Sequence, residues 1–159
     1  MEQNLTAAKA AMVAVVSAVG AFLGWKGIMA LCWVAVMGLD YLSGSAAACK
    51  AGQWSSEEAR SGAWHKLGMI FAVAVSAIAD GVMTVIIGNI PALGVEWPGL
   101  VLPLVLTWYI LTELGSILEN AVKLGAQVPQ WLTKLLKAGR DAVDTAGGDP
   151  NKDADSNPE

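Results

Sequence analysis

Long apolar stretches separated by short polar segments dominate the pattern along this chain. Residues 10–48, 67–90 and 98–118 contain only four charged positions, which are Lys26, Asp40, Asp80 and Glu113. Because a membrane-spanning helix needs about 20 predominantly apolar residues, the first stretch is long enough for two spans with a turn near Gly24. The pattern predicts an all-α membrane protein with about four transmembrane helices, over about 8–25, 27–48, 67–90 and 98–120.

The first predicted span is the shortest, which leaves three spans as the alternative count. A cleaved signal peptide is the rival interpretation of this stretch, and it requires a basic start before the apolar run. Glu2 and Lys9 cancel each other, and the next span follows at once. We therefore expect the first helix to be retained as part of a transmembrane domain over 1–125.

Beyond the last span, residues 126–143 have the pattern of an amphipathic helix. Its apolar face carries Trp131, Leu132, Leu135 and Leu136, and its basic face carries Lys134, Lys137 and Arg140. Such a helix either lies on the inner membrane surface or is a solvated helix packed on the neighbouring loop. Residues 144–159 contain five acids and one lysine together with Gly and Pro, which predicts a disordered acidic tail.

Basic residues are distributed unevenly between the two sides of the predicted bundle. Nine of the ten Lys and Arg residues lie near the N-terminus, between the second and third spans, or beyond the last span, and only Lys26 lies elsewhere. Short loops that are rich in Lys and Arg remain in the cytoplasm. The sequence therefore predicts a multi-pass protein of a cytoplasmic membrane, with both termini in the cytoplasm.

The composition agrees with a membrane protein, since 55% of the 159 residues are hydrophobic and 15% are charged. Soluble domains usually have about 25% charged residues. His65 is the only histidine. The sequence shows no nucleophile–His–acid set, metal-ligand spacing, glycine-rich phosphate loop or basic patch for nucleic acid. We therefore expect no catalytic activity, no metal or other cofactor, and no nucleic-acid partner.

The last three predicted spans each carry a polar face at helical spacing. The polar positions are Asp40 and Ser43, then Ser76, Asp80 and Thr84, then Glu113, Ser116 and Asn120. Small residues that permit close helix packing are Gly20, Gly24 and Gly44. These faces fit two roles: they hold the helices of one monomer together, or they line a lumen within a bundle or between subunits.

Asp40, Asp80 and Glu113 are costly residues inside a span, at about 2.5–3.5 kcal/mol each near its centre. No Lys, Arg or His lies within 27–49 or 67–122. We therefore expect these acids to be protonated, bonded to neutral groups or exposed to water, rather than paired with a base. Asp80 is predicted to lie nearest to a span centre.

Three segments are similar to one known family. They are GLDYLSGSAAACKAGQWSSEEARSGAWHKLG at 38–68, AIADGVM at 77–83 and LTELGSILENAVKLGAQVPQWL at 111–132. They resemble three features of the toxin secretion/phage lysis holins. The first segment is similar to the aspartate–glycine end of a span, followed by a Lys, a Ser pair and a Gly–Lys start to the next helix. The second is similar to the mid-span aspartate of the family, and the third to its block of Glu, Ser, Glu-Asn, Gly and Pro. The resemblance covers roughly 35–135 and is most specific in the last segment. It departs at His65, where many members have a second lysine.

A holin of this family accumulates in the cytoplasmic membrane of the host, oligomerises at a set time and forms lesions. The resemblance therefore implies a large homo-oligomer in the lipid bilayer, a phage endolysin and an antiholin as functional partners, and no enzymatic activity. Glu113, Ser116 and Asn120 would form a subunit-packing or lumen-facing stripe, with Glu119 at the head-group level. The alternative function is a small multi-pass subunit or channel of a bacterial transport or secretion system.

Overall fold

The computed structural model describes residues 2–90, 92 and 94–148, and over these residues the chain is helical apart from its connecting segments. The helices are α1 Glu2–Lys50, α2 Ser56–Gly88, α3 Val101–Lys123 and α4 Gln130–Ala146. The prediction of an all-α protein is confirmed. Of the predicted acidic tail, residues 144–146 belong to α4, whereas residues 149–159 lie outside the described part of the chain.

A kink divides α1 at Gly24, where φ is 65° and ψ is −171°. Glycine adopts such a positive φ without the steric penalty that a side chain would bring. A Cβ added to Gly24 would meet no described atom within 4 Å. Gly24 therefore sets the direction of the backbone, and the packing role predicted for it stays a prediction. The surroundings of Gly20 lie outside the described side chains.

Three helical segments are long and apolar enough to cross a membrane, and they are Gly24–Lys50, Ser56–Gly88 and Val101–Lys123. They correspond to the predicted spans at 27–48, 67–90 and 98–120. The segment predicted as a first span, 8–25, is helical but is not among these three. The count of four spans is therefore not confirmed, and the described chain fits the alternative count of three.

α2 begins well before the apolar run that predicted it, because Ser55 caps its N-terminus. The Ser55 hydroxyl accepts a hydrogen bond of 3.1 Å from the Glu58 N–H, and Glu57 and Glu58 place negative charge in the first turn. Both features stabilise a helix start. As a result, Lys66 lies inside α2 rather than in a loop, roughly 15 Å along the helix from its first residue.

α3 is the central helix, because it packs against α1, α2 and α4, whereas α1 and α2 contact each other only slightly. α1 and α3 run in the same direction. The Lys26 ammonium donates to the Gly99 carbonyl (2.7 Å) just before α3, and the Lys50 ammonium donates to the Leu124 carbonyl (2.7 Å) just after it. α2, which connects them in the sequence, packs on α3 and runs in the opposite direction.

The apolar core lies among the three spans and consists of Trp33, Met37, Met69 and Leu106. The remaining surface of the spans is largely unburied: only 6%, 11% and 17% of the most apolar windows of the three segments is buried. A lipid environment accommodates such outward-facing apolar side chains, since lipid tails are as apolar as leucine.

α4 folds back along α3. A Cβ added to Gly139 would lie 3.1 Å from the Leu111 side chain, and Val143 lines a cavity together with Leu104. α4 therefore runs antiparallel to α3 and ends near the start of α3. α4 packs on α3 because α3 offers an apolar surface to it. The predicted location of this helix at the inner membrane surface stays a prediction.

Candidate functional site

A central cluster of polar side chains links the three spans near the middle of α3. It consists of Asp40 and Ser43 from α1, Lys66 from α2, and Glu113 and Asn120 from α3. Lys66 donates to Glu113 at 2.6 Å and to Asp40 at 3.0 Å. The Asn120 amide donates to Ser43 Oγ at 3.1 Å and to Asp40 Oδ1 at 3.3 Å. Every span therefore contributes a charged side chain to this cluster.

The Lys66 ion pairs overturn the expectation that no base could reach the intramembrane acids. Only 15% of the Lys66 side chain, 5% of Glu113 and 19% of Asp40 is exposed. Lys66 lies at the edge of an apolar run in the sequence, but α2 starts at Ser56, so its ammonium reaches the bundle interior on a long apolar stem. One base thus pairs with two acids, so the cluster contains one more acidic than basic side chain.

Two cavities flank the central cluster on the side of Lys50. One, of about 240 Å³, is lined by Asp40, Lys66 and Trp54, and the other, of about 430 Å³, is lined by Asn120 and Lys123. Each is large enough to hold water molecules. The partly exposed carboxylate of Asp40 can therefore be hydrated from this side. The Glu113 carboxylate is buried, and Lys66 is its polar partner.

A second, capping cluster lies at the start of α3 and consists of Lys26, Asp80, Trp97 and Gly99. Asp80 accepts hydrogen bonds from the backbone N–H groups of Val101 and Leu102, both at 3.0 Å, and from the Trp97 indole at 3.1 Å. Lys26 lies 3.7 Å from Asp80. The expectation that Asp80 has no basic partner is therefore also wrong.

Asp80 accepts hydrogen bonds from backbone N–H groups that the first turn of α3 would otherwise leave unpaired. The first four N–H groups of a helix have no partner within it. Asp80 accepts the first two, Pro103 has no N–H, and the Leu104 N–H donates to the Leu100 carbonyl (3.1 Å). Asp80 therefore lies level with a helix end, whereas Glu113 lies close to the middle of α3. The expectation that Asp80 is the acid nearest a span centre is corrected.

The two clusters are held apart by a spacing that recurs on all three spans. Fourteen positions separate Lys26 from Asp40 on α1, Lys66 from Asp80 on α2, and Gly99 from Glu113 before and on α3. This corresponds to about 21 Å along a helix. The apolar core fills the layer between the clusters. Because α1 and α2 are antiparallel, the equal base–acid spacing on these two helices is a sequence signal for the Lys26–Asp80 and Lys66–Asp40 pairs.

The other predicted polar residues have separate environments. Ser76 is buried and donates to the Val73 carbonyl, and Thr84 is exposed and donates to the Asp80 carbonyl, so both bond within α2. Ser116 faces α4 and lines a cavity between α3 and α4, away from Glu113. The predicted stripe of Glu113, Ser116 and Asn120 is therefore divided between two surfaces of α3.

Small residues bring α1 close to α3 beside the central cluster. A Cβ added to Gly44 would lie 3.4 Å from the Asn120 amide nitrogen, and Ala47 is buried one turn further on. This close approach lets the short side chains of Ser43 and Asn120 bond across the helix pair. In the single protomer, the polar faces of α1 and α3 thus connect the helices to each other.

Comparison with known proteins agrees with this architecture. A profile of the bacteriophage holin family matches residues 17–141, which includes all three apolar spans, both polar clusters and most of α4. No curated protein and no solved structure matches the chain significantly. The family match covers well over half of the sequence and confirms the resemblance seen in the three segments. This chain belongs to the bacteriophage holin family.

Proposed function

We propose that this protein is the holin of a phage lysis system. In this proposal it accumulates in the cytoplasmic membrane of the host, assembles into large homo-oligomers and opens lesions that release or activate an endolysin. The observation that carries the proposal is the family match over residues 17–141. The holin performs no catalytic step of its own, and the endolysin degrades the peptidoglycan.

The size and packing of one protomer support lesions that form between copies. Trp33, Met37, Met69 and Leu106 fill the centre of the three-span bundle, so the bundle has no space for a protein-sized passage. The outer surface of the spans is apolar and mostly unburied. That surface is available to lipid before assembly and to further copies of the chain afterwards.

The distribution of charge along the bundle supports one orientation. Lys50, Arg60 and Lys123 lie at or beyond the same end of the three spans, whereas Lys26 belongs to the capping cluster at the other end. Basic segments next to a span are retained in the cytoplasm. We therefore propose that the Lys50 end faces the cytoplasm and that the capping cluster faces outward.

Induced expression in a bacterial host tests the function. We expect growth to stop abruptly, the membrane potential to collapse, and the culture to clear rapidly only when an endolysin without its own export signal is present. A strain that carries the endolysin but not this protein provides the control. The proposal fails if cells keep an intact membrane potential although the protein is inserted in their membrane at the level that the induced culture reaches.

A further inference from the structure

α4 occupies the same depth as α3 although it is far more polar. It lines one cavity with Ser116 in the second half of α3 and another with Leu104 near its start. Between these, Gly139 lies against Leu111. α4 spans Gln130–Ala146, which corresponds to about 25 Å. It therefore runs beside α3 for most of the length of that helix.

Three stripes of different character run along α4. The first faces α3 and is half-buried and mainly apolar, the second is exposed and apolar, and the third is exposed and charged. They contain Leu132, Leu136, Gly139 and Val143, then Trp131, Leu135, Ala138 and Ala142, then Lys134, Lys137 and Asp141. At 3.6 residues per turn, the Cα atoms of the charged stripe lie on the side of α4 that is opposite α3. All three side chains are exposed, although Lys134 and Lys137 also border the cavity that Ser116 lines.

The charged stripe has no ionic partner in the part of the chain that the structure describes. Among the described residues, Lys134, Lys137 and Asp141 form no ion pair. Ionised side chains at membrane depth are strongly disfavoured against lipid and occur where they face a bundle interior or a water-filled cavity. Since the bundle interior lies on the other side of α3, water is the environment that suits this stripe.

The polar residues of the three spans do not supply such a water-facing wall. Lys66 holds Asp40 and Glu113 together inside the bundle, and Asp80 is occupied by the start of α3. These side chains already form their polar contacts within one protomer. α4 is therefore the helix of this fold with a continuous polar face directed away from its own bundle.

We propose that α4 forms the polar wall of the lesion. In the assembled ring, Leu132, Leu136 and Val143 stay on α3, Trp131 and Leu135 meet the neighbouring copy or lipid, and the charged stripe faces the aqueous lumen. The inference rests on the proposed lesion-forming function. Gly148 lies near the start of α3. The inference therefore places the end of α4 on the outward side of the bundle, in contrast to the cytoplasmic C-terminus that the distribution of bases predicted.

A disulfide between α3 and α4 tests whether the two helices stay together in the lesion. The pair Leu111→Cys and Gly139→Cys is introduced after Cys32 and Cys49, which are free and exposed, are changed to Ala. Leu111 and Gly139 are in contact across the helix pair, since a Cβ at position 139 would lie 3.1 Å from the Leu111 Cδ1 atom. A second pair, Val105→Cys with Val143→Cys, lines a shared cavity and guards against disruption by a side chain at Gly139.

We expect the disulfide to form in membranes and the locked protein to permeabilise cells with an onset within about twofold of the same protein after reduction. No disulfide with either pair, or lesions that appear only after reduction, would mean that α4 leaves α3, for instance for anionic head groups at the surface. Failure of the cysteine-free parent to permeabilise, when the original chain also fails, would instead count against the proposed function.

The lumen-facing stripe is then probed in the locked protein with a third cysteine. Lys137→Cys is compared with its neighbour Ala138→Cys, which lies on the apolar stripe. In permeabilised membranes, a water-soluble maleimide should react at least tenfold faster at position 137 than at position 138. Equal or slow labelling at both positions would show that lipid or protein covers the charged stripe, and would overturn the assignment.

Discussion

Replacing Lys66 by Met should strongly destabilise the folded bundle. Lys66 pairs with Glu113 at 2.6 Å and with Asp40 at 3.0 Å, and these side chains are 5% and 19% exposed. Removing one partner of a buried ion pair typically costs 3–5 kcal/mol, because a charge remains without compensation. Since the cavity beside Asp40 admits water, we expect the lower part of this range, about 3 kcal/mol.

The measurement is unfolding of the detergent-solubilised protein by increasing SDS, followed by tryptophan fluorescence, which reports tertiary packing. Two further variants show where the effect originates. Combining Lys66→Met with Glu113→Gln removes the uncompensated carboxylate and should recover about 1–3 kcal/mol of the loss. Lys50→Met provides the matched control, because Lys50 is exposed and its one hydrogen bond among the described residues is to the Leu124 carbonyl. Its cost should stay below about 1 kcal/mol.

A free energy of unfolding for Lys66→Met within about 1 kcal/mol of the original protein would refute this reasoning. So would equal losses for Lys66→Met and Lys50→Met, since the argument depends on burial of the pair and not on the charge alone. Failure of Glu113→Gln to recover any stability would show that the carboxylate is not the source of the loss.

Three further predictions concern the capping cluster, the α1–α3 contact and the tail. Asp80→Asn keeps one acceptor for the first turn of α3 and should cost about 1 kcal/mol or less, whereas Asp80→Leu should cost about 2–3 kcal/mol in the same unfolding measurement; equal costs would contradict the capping role. Gly44→Val should separate α1 from α3 and cost about 1–3 kcal/mol, whereas Gly38→Ala, which meets no described atom within 4 Å, should leave stability unchanged or raise it. A variant lacking 149–159 should still permeabilise cells after induction, and complete loss of killing at normal membrane levels would show that the tail is needed.

The sequence alone was sufficient to predict three apolar spans and the family, whereas the fourth predicted span is not confirmed. Whether a segment crosses a bilayer depends on the length and apolarity of that segment, and these properties are local. The three spans were therefore recognised to within a few residues at most ends, and the block at 111–132 identified the holin family. The predicted start of the span in α2 lies too late by about one-third of the length of α2, because the Ser55 cap and not hydropathy determines where the helix begins.

The tertiary structure decided which polar groups meet. The Lys66 ammonium and the Glu113 carboxylate are 47 positions apart, and no local pattern indicates their contact. Lys26 and Lys66 were predicted to lie in the connections between spans because hydropathy describes one segment at a time, whereas burial depends on where neighbouring helices end. The position of α4 depends in the same way on the apolar surface that α3 presents to it. Pairing across helices is a property of the packed bundle, since it requires two side chains to share one depth and one face.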